Sequence, residues 1–252
     1  MKEWRLLETD FNDAFTNMAI DEAVNTLHDE TKKPTVRFYG WKPSAISIGY
    51  FQGVREEVDL ERCKELDVDV VRRITGGGAV FHDAELTYSF VCSEKSGVVS
   101  KNILDSYKKI CNSVVLGLRT LKIDSSFVPI NDIISNGQKI SGNAQTRRNG
   151  NVLQHGTVLM GVDVEKMFSL LLVPDEKMRG KMIEDIKQRV TSVELQLGKK
   201  VSFDRVSSAM KKGFEENFEI RLVTGKLTSE EKILAEKIKL ERFSNESWTF
   251  RR

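Results

Sequence analysis

Cysteine and histidine are both scarce in this chain, with three of each among 252 residues. Cys63, Cys92 and Cys111 form no C-x-x-C pair, and no histidine has metal-ligand spacing to a cysteine, so a zinc site is unsupported. Three is also an odd number, which disfavours a disulfide framework. Cys92 and Cys111 lie in apolar patterns, and we expect both to be small buried side chains in a reducing compartment.

Long apolar runs and an excess of one charge are also missing. The chain has no apolar run of 18 residues and no signal-peptide pattern at its N-terminus. Its 39 basic and 37 acidic residues leave a net charge of +2, which gives no general reason to expect nucleic acid as a partner. We find no repeat, low-complexity tract or long linker. We therefore expect a cytoplasmic protein, without a membrane or nucleic-acid partner, in which residues 1–252 form a single domain.

Short strands and helices alternate irregularly along the chain. This uneven order predicts an α+β fold, with a mixed sheet flanked by helices, rather than a doubly wound parallel sheet. The patterns predict strands at 36–39, 45–50, 68–71 and 86–91, and helices near 16–29, 103–122, 163–172, 175–188, 203–217 and 229–241.

Residues 72–83, Arg-Arg-Ile-Thr-Gly-Gly-Gly-Ala-Val-Phe-His-Asp, are the most informative stretch. Three successive glycines pack no side chain and cost backbone entropy in a strand, but they let a ligand approach bare N–H groups. The spacing matches neither the P-loop nor the dinucleotide fingerprint. A surface turn would explain Gly76–Gly78 alone. Between two predicted strands, and beside Arg72, Arg73 and His82, the glycines instead predict an anion-binding site.

A second motif spans residues 131–145, Asn-Asp-Ile-Ile-Ser-Asn-Gly-Gln-Lys-Ile-Ser-Gly-Asn-Ala-Gln. Its Asn136-Gly137 pair predicts a hairpin turn. Lys139 would then begin the returning strand, where its ammonium group can be directed into a pocket. A solvated lysine beside a turn is the ordinary interpretation, which the neighbouring Gly142-Asn143 makes less attractive.

A third motif spans residues 153–159, Leu-Gln-His-Gly-Thr-Val-Leu. The alternation of its side chains predicts a half-buried strand. His155 could be an ordinary core histidine by this pattern alone.

Together the three motifs resemble the glycine loop, the Gly-x-Lys-Ile-Ser-Gly-Asn-Ala motif and the His-Gly-Thr strand of the lipoate-protein ligase family, within the biotin/lipoate ligase superfamily. Residues 15–23 and 243–248 also resemble the opening helix and the closing segment of that family's catalytic domain. The resemblance therefore covers nearly the whole chain. It implies the fold of class II aminoacyl-tRNA synthetases and biotin ligases, which agrees with the predicted α+β class.

The resemblance implies an ATP-dependent lipoate-protein ligase. Such an enzyme joins lipoate to ATP as lipoyl-AMP and then transfers the lipoyl group to a lysine of a lipoyl domain. The implied substrates are lipoate and ATP with Mg²⁺, with no permanently bound cofactor. The implied partners are the lipoyl domains of 2-oxoacid dehydrogenase E2 subunits or the glycine cleavage H protein. The apolar lipoyl tail also needs a slot, and its candidates, which a plain core would explain equally well, are Ile46, Ile48, Tyr50 and Phe90.

Two anions must meet in this reaction, so it needs fixed positive charge and preorganised donors. The resemblance makes Lys139 the catalytic residue, bridging the lipoate carboxyl oxygen and the α-phosphate. Arg73 and Arg72 would hold the acyl or phosphate anion, and Asp132 with Asn131 would position the nucleotide or a Mg²⁺ ion. The other implied substrate- and nucleotide-binding residues are Thr75, Gly76, Gly77, Gly78, His82, Gly142, Asn143, His155 and Thr157.

Residues 84–90, Ala-Glu-Leu-Thr-Tyr-Ser-Phe, depart from the ligase pattern, which has a longer, asparagine-containing stretch there. They are closer to the octanoyltransferases of the same superfamily, which pass an acyl group from acyl carrier protein through a cysteine thioester and use no ATP. Those transferases place the cysteine just before the Gly-x-Lys motif, whereas residues 125–132 contain none, and a thioester needs a thiolate there. A ligase is therefore the expectation, and octanoyl-[acyl carrier protein]:protein octanoyltransferase the alternative. A non-catalytic binder is disfavoured because it has little need for Lys139.

The chain ends at Arg252, just after the closing segment of the catalytic domain. Many bacterial ligases continue into a small accessory domain that assists adenylation. The chain thus resembles the catalytic half of two-subunit ligases, and we expect a separate accessory subunit.

Overall fold

The computed structural model describes residues 1–172 and 176–251, and for residues 176–179 it describes the backbone alone. Strands in these residues are β1 (Lys2–Asn12), β2 (Thr35–Trp41), β3 (Ala45–Ile48), β4 (Asp69–Arg72), β5 (Val80–His82), β6 (Glu85–Ser93), β7 (Ser126–Val128), β8 (Asp132–Ser135), β9 (Gln138–Arg148), β10 (Asn151–Leu159) and β11 (Ile220–Thr224).

The α-helices in the same residues are α1 (Ala14–Thr26), α2 (Val54–Glu57), α3 (Leu60–Glu65), α4 (Ile103–Thr120), α5 (Val164–Leu170), α6 (Glu176–Arg189), α7 (Val193–Leu197), α8 (Phe203–Phe218), α9 (Ser229–Ile238) and α10 (Glu246–Thr249). A 3₁₀ turn spans Glu94–Ser96, and a π-helical turn spans Lys239–Phe243. No helix in the described part of the chain is both long and apolar enough to cross a membrane.

Eight strands form one mixed sheet in the order β11-β1-β2-β6-β10-β9-β8-β7. Strand β1 is parallel to β11 and β2, and the remaining neighbours pair antiparallel. A second sheet has the order β4-β3-β5, with β3 parallel to β4 and antiparallel to β5. This mixed arrangement confirms the α+β class expected from the sequence.

The large sheet has an apolar core on each face because successive side chains of a strand alternate in direction. Phe38 of β2 and Phe90 of β6 belong to the core that α4 and α8 cover. Their neighbours Tyr39 and Val91 belong to a second core, which α1 covers. Helices therefore cover both faces of the large sheet and bury its apolar side chains.

Helices α4 and α8 approach each other closely through glycine. A Cβ atom at Gly213 would lie 2.1 Å from the carbonyl oxygen of Ser113, and one at Gly117 would lie 2.7 Å from Met210 Cε. Such distances are shorter than van der Waals contact, so larger residues at these two positions would force the helices apart.

All six predicted helices occur, with ends that differ by a few residues. Helix α1 begins at Ala14, two residues before the predicted start, because the Asp13 side chain caps it by accepting the amide of Thr16 at 2.8 Å. The helix predicted over 175–188 corresponds to α6, and residue 175 lies outside the described residues. The strands predicted at 36–39, 45–50, 68–71 and 86–91 correspond to β2, β3, β4 and β6. The strand predicted at 153–159 lies within β10, where the side chains of both faces are buried, so the expectation that it is half-buried was wrong.

Candidate active site

Residues of both sheets and of helices α5 and α6 line a cavity of about 550 Å³. This volume lies within the range of about 300–1,000 Å³ that is usual for small-molecule sites. Much of the wall is apolar, including Leu159, Met167, Phe168, Met182 and Ile186. Eleven of the fourteen site residues expected from the sequence line it, namely Arg73, Gly76, Gly77, Gly78, His82, Asn131, Lys139, Gly142, Asn143, His155 and Thr157.

The glycine loop, Gly76–Gly78, packs against Gly49 on one side and borders the cavity on the other. Gly77 has a φ of +99°, and its carbonyl oxygen would lie 1.9 Å from a Cβ atom at Gly49. That contact leaves room only for glycine at position 49. A Cβ atom at Gly76 or Gly78 would meet no atom within 4 Å, so these two residues border open space in the cavity.

Arg73 holds the glycine loop in shape. Its Nη2 donates to the carbonyl oxygens of Gly76 and Gly78 at 2.7 and 2.8 Å, and its Nη1 donates to the carbonyl oxygen and Oγ of Ser47 at 2.8 and 3.1 Å. Burial lowers the pKa of Arg73 to about 10, so the guanidinium remains charged at neutral pH. The Arg73 guanidinium therefore places a fixed positive charge beside the glycine loop. These hydrogen bonds of the guanidinium all go to protein groups.

Arg72 has a different position from the one expected. Its Nε and Nη2 donate to the carbonyl oxygens of Trp248 and Thr249 at 3.0 and 2.7 Å, and its Nη1 donates to that of Gln52 at 2.6 Å. The side chain is fully buried and does not line the cavity. The anion-binding function expected for Arg72 therefore stays a prediction, and in this structure the guanidinium joins β4 to the C-terminal segment.

Lys139 follows a tight turn, as the sequence predicted. Asn136 and Gly137 both have positive φ, 49° and 78°, which is typical of a type I′ hairpin. Lys139 Nζ forms an ion pair with Asp132 Oδ1 on the neighbouring strand at 2.7 Å, although the angles are not those of a hydrogen bond. A Cβ atom at Gly142 would lie 2.9 Å from Lys139 Cε, so glycine there lets the lysine lie along the strand.

Two asparagines fasten the segment before β8 to β9. Asn131 Nδ2 donates to the carbonyl oxygen of Asn143 at 2.5 Å, and Asn143 Nδ2 donates to that of Asn131 at 2.9 Å. Asn143 Oδ1 also accepts the hydroxyl of Tyr88 at 2.6 Å, and the amide of Gly142 donates to Thr157 Oγ1 at 3.4 Å. This network holds the backbone around Lys139.

His155 is buried against a carboxylate. Its Nε2 lies 2.7 Å from Thr75 Oγ1, and its Nδ1 lies 3.3 Å from Asp21 Oδ2. Burial lowers the pKa of His155 in spite of Asp21, so the imidazole is neutral at pH 7. Burial alone would raise the pKa of Asp21, but the Arg37 guanidinium, 2.7 Å away, holds it below its ordinary value. Thr75 is fully buried and supports His155 from outside the cavity.

His82 lies between a serine and a second carboxylate. Its Nε2 is 2.8 Å from Ser47 Oγ, and its Nδ1 is 2.8 Å from Glu85 Oε1. The Trp41 ring stacks on the imidazole with centroids 4.0 Å apart. Ser47 and Glu85 both line the cavity, and neither was expected from the sequence.

Residues 13–215 match the family described as the lipoyl protein ligase A/B catalytic domain. The chain belongs to that family. It is 35% identical over 276 residues to octanoyltransferase LipM of Brevibacillus brevis, with all of both chains covered. It superposes with a TM-score of 0.92 on a bi-partite lipoate protein ligase of Thermoplasma acidophilum, at 33% identity over 99% of this chain and 97% of that one. A lipoate-protein ligase A solved with ATP gives a TM-score of 0.85 at 30% identity over 98% of each chain.

These comparisons confirm the family and the fold but contradict the ligase activity expected from the sequence. Eight curated members that are 32–37% identical over 91–100% of this chain are all named octanoyltransferase LipM. The missing cysteine was therefore given too much weight. An enzyme of the lipoyl ligase and transferase superfamily is supported, and the findings favour the octanoyltransferase alternative.

The three thiols in this member of the family are poorly suited to carrying an acyl group. Cys63, Cys92 and Cys111 are all buried, and none of them lines the cavity. Burial raises the pKa of Cys63 to about 11 and those of Cys92 and Cys111 to about 12. Thiolates are the reactive form of cysteine, so these side chains are inert.

Asp132, the expected ligand of a nucleotide-bound Mg²⁺ ion, forms an ion pair in this structure. Its carboxylate contacts the Lys139 ammonium group, which would compete with a cation. Throughout residues 1–172 and 176–251, no three His, Cys, Asp or Glu side chains come together as metal ligands. In this structure the partner of the Asp132 carboxylate is therefore the Lys139 ammonium group.

The four residues named as candidates for the apolar slot do not line the cavity. Ile46, Ile48 and Phe90 pack into the core clusters, while Ser47, between the two isoleucines, faces the cavity. Tyr50 is half-buried and packs against Trp248. The alternation of β3 explains the difference, because it directs every second side chain away from the cavity.

Proposed function

We propose that this protein is an octanoyltransferase that moves an octanoyl group from a thioester donor, such as octanoyl-acyl carrier protein, to a lysine of a lipoyl-type domain. The observation that carries the proposal is the apolar cavity with Lys139 and His82 in its wall. The names of the curated relatives support it. The reaction needs neither ATP nor Mg²⁺.

The apolar wall supplies affinity for the acyl chain. Each buried CH₂ group contributes about 0.8 kcal/mol, so a chain of octanoyl length gains on the order of 5 kcal/mol. Leu159, Met167 and Phe168 would contact the chain. Because hydrophobic contacts have no direction, the polar groups of the cavity must fix the position of the thioester carbonyl.

Lys139 would stabilise the negative charge that forms on the carbonyl oxygen when a nucleophile attacks. A preorganised donor directed at that oxygen lowers the barrier because it needs no rearrangement during the reaction. Gly76 and Gly78 border the cavity and would present backbone amides to the same group. Asp132 keeps the ammonium group in place before the substrate arrives.

The acceptor would be the lipoyl domain of a 2-oxoacid dehydrogenase E2 subunit or a glycine cleavage H protein. An accessory subunit, which was expected for adenylation, is not required by a transfer without ATP. We also propose a cytoplasmic enzyme, because all three cysteines are free thiols.

The test is the intact mass of an apo lipoyl domain after incubation with the purified protein. One reaction contains octanoyl-acyl carrier protein without ATP, and the other contains ATP, Mg²⁺ and lipoate. We expect an octanoyl-sized gain in the first reaction alone. A lipoyl-sized gain in the second reaction alone would refute the proposal, and a reaction without enzyme controls for spontaneous acylation.

A further inference from the structure

Ser47, His82 and Glu85 form a continuous hydroxyl–imidazole–carboxylate series in the cavity wall. Ser47 Oγ lies 2.8 Å from His82 Nε2, and His82 Nδ1 lies 2.8 Å from Glu85 Oε1. Both distances fall in the range of about 2.6–3.2 Å that joins a nucleophile to its base and the base to its orienting group.

The fold brings the three residues together from two sheets. Strands β3 and β5 are antiparallel with Ser47 opposite Val80 and Ala45 opposite His82, so Ser47 and His82 are diagonal neighbours on one face. Glu85 begins β6, which belongs to the large sheet. The series therefore lies where the chain passes from one sheet to the other.

The surroundings fix the imidazole and its proton. Glu85 Oε1 also accepts the hydroxyl of Thr87 at 2.6 Å, and Thr87 Oγ1 accepts the indole N–H of Trp41 at 2.7 Å. With Trp41 stacked on its ring, His82 is held with Nδ1 toward the carboxylate. A neutral imidazole that donates from Nδ1 leaves its Nε2 lone pair for the Ser47 hydroxyl.

Two features of the Ser47–His82–Glu85 series are not required for structural stability alone. Arg73 Nη1 donates to Ser47 Oγ at 3.1 Å, and a positive charge there stabilises the oxygen as it loses its proton. Glu85 Oε2 is buried and has no hydrogen-bond partner among the described residues, which costs stability. Of the described residues lining the cavity, Ser47 and Thr157 carry hydroxyl groups, and Ser47 is the one in contact with an imidazole.

We propose that Ser47 is the nucleophile that carries the octanoyl group as an oxygen ester, with His82 as general base and Glu85 as the residue that positions His82. This inference rests on the proposed octanoyltransferase function and supplies the covalent step for which no suitable cysteine exists.

In the first half-reaction, Ser47 Oγ attacks the thioester carbonyl while its proton passes to His82 Nε2. The carbon–sulfur bond then breaks, and His82 returns the proton to the leaving sulfur, which departs as a thiol. In the second half-reaction, the lysine amine of the carrier attacks the ester carbonyl and gives a proton to His82. The carbon–oxygen bond breaks and Ser47 Oγ regains that proton, leaving an amide.

The experiment is to incubate the protein with octanoyl-acyl carrier protein in the absence of an acceptor, quench with acid and map the adduct by peptide mass spectrometry. We expect an octanoyl-sized gain on the peptide containing Ser47. Ser47→Ala should lose it, and Ser47→Cys should regain it as a thioester. Ser113→Ala is the matched control, since it removes a buried hydroxyl on α4 that is outside the cavity.

His82→Ala should slow adduct formation by about 10²-fold or more, the usual contribution of a general base. Glu85→Gln should lower the rate constant of acylation and leave the donor concentration at half-maximal rate unchanged, as expected for a positioning residue. Melting temperatures close to that of the wild type would establish that each variant is folded.

An adduct on another residue, or no adduct in the folded wild type, would overturn the assignment of Ser47. Transfer to the lipoyl domain is measured in parallel. If Ser47→Ala transfers octanoyl at the wild-type rate, the octanoyltransferase function stands and Ser47 is not its nucleophile. If the wild type forms the Ser47 ester but acylates no lipoyl domain, the nucleophile stands and the proposed function fails.

Discussion

Lys139 Nζ and Asp132 Oδ1 lie 2.7 Å apart on adjacent strands of the hairpin that borders the cavity. The ion pair explains why a lysine beside a turn has a defined position. The side chain of Lys139 is 42% exposed and that of Asp132 is 36% exposed, so the ion pair contributes little to folding stability. We propose that the ion pair positions the Lys139 ammonium group for the transfer reaction.

We expect Lys139→Ala to lower octanoyl transfer by about 10²-fold or more while the protein stays folded. Loss of one preorganised donor to a developing oxyanion costs about 2.7–4 kcal/mol, which corresponds to that factor. Transfer rates to a lipoyl domain and melting temperatures measure the two effects. A folded variant with a near-normal rate would show that Lys139 does not stabilise the transition state.

Arg72→Ala should destabilise the protein strongly. The buried guanidinium donates to several backbone carbonyl oxygens, including those of Gln52, Trp248 and Thr249. Alanine would remove these hydrogen bonds and leave the carbonyl oxygens without the Arg72 donors. We expect a decrease in the free energy of unfolding on the order of 3 kcal/mol or more, measured by urea denaturation. Arg119→Ala is the control, because the exposed ion pair of Arg119 with Glu216 should change stability by less than about 0.5 kcal/mol. Equal effects of the two substitutions would contradict the structural function of Arg72.

Gly49→Ala and Gly78→Ala should separate folding from binding. A methyl group at Gly49 would collide with the carbonyl oxygen of Gly77, whereas one at Gly78 would enter open space in the cavity. We expect Gly49→Ala to lower the melting temperature, since overpacking costs about 1–3 kcal/mol or more. Gly78→Ala should keep the melting temperature and raise the KM for the octanoyl donor. A stable Gly49→Ala, or an unchanged KM in Gly78→Ala, would argue against this arrangement of the loop.

The sequence predicted local features well because each depended on neighbouring residues. The hairpin at Asn136-Gly137 follows from turn chemistry, and α4 and α8 follow from apolar periodicity. Arg72 and Arg73 form an adjacent pair that suggested one shared function. In the structure Arg73 supports the cavity wall and Arg72 joins distant segments, a difference that depends on the strand's orientation.

The contacts around the candidate site could not be predicted because they join residues far apart in the chain. Ser47 and His82 are 35 residues apart, and His155 and Asp21 are 134 apart. Pairing of strands brings them together, and no local pattern specifies it. The ligase activity expected from the sequence was also wrong, because motifs shared by ligases and transferases identify a common site but do not identify the acyl donor.

His28 should make the folded state less stable as the pH falls. Burial lowers its pKa from 6.5 to about 4, and its Nε2 has no hydrogen-bond partner among the described residues. The unfolded chain therefore binds a proton near pH 6.5 that the folded protein does not bind until about pH 4, so stability is lost between these values. We expect the wild type to lose more stability than His28→Gln when the pH is lowered from 7 to 5, measured by thermal unfolding. A second comparison at pH 8 is the control, because His28 is then neutral in both states and the remaining difference is one of packing. Equal losses of stability in the wild type and His28→Gln between pH 7 and pH 5 would contradict the lowered pKa, because they would show that His28 binds its proton equally well in the folded and unfolded states.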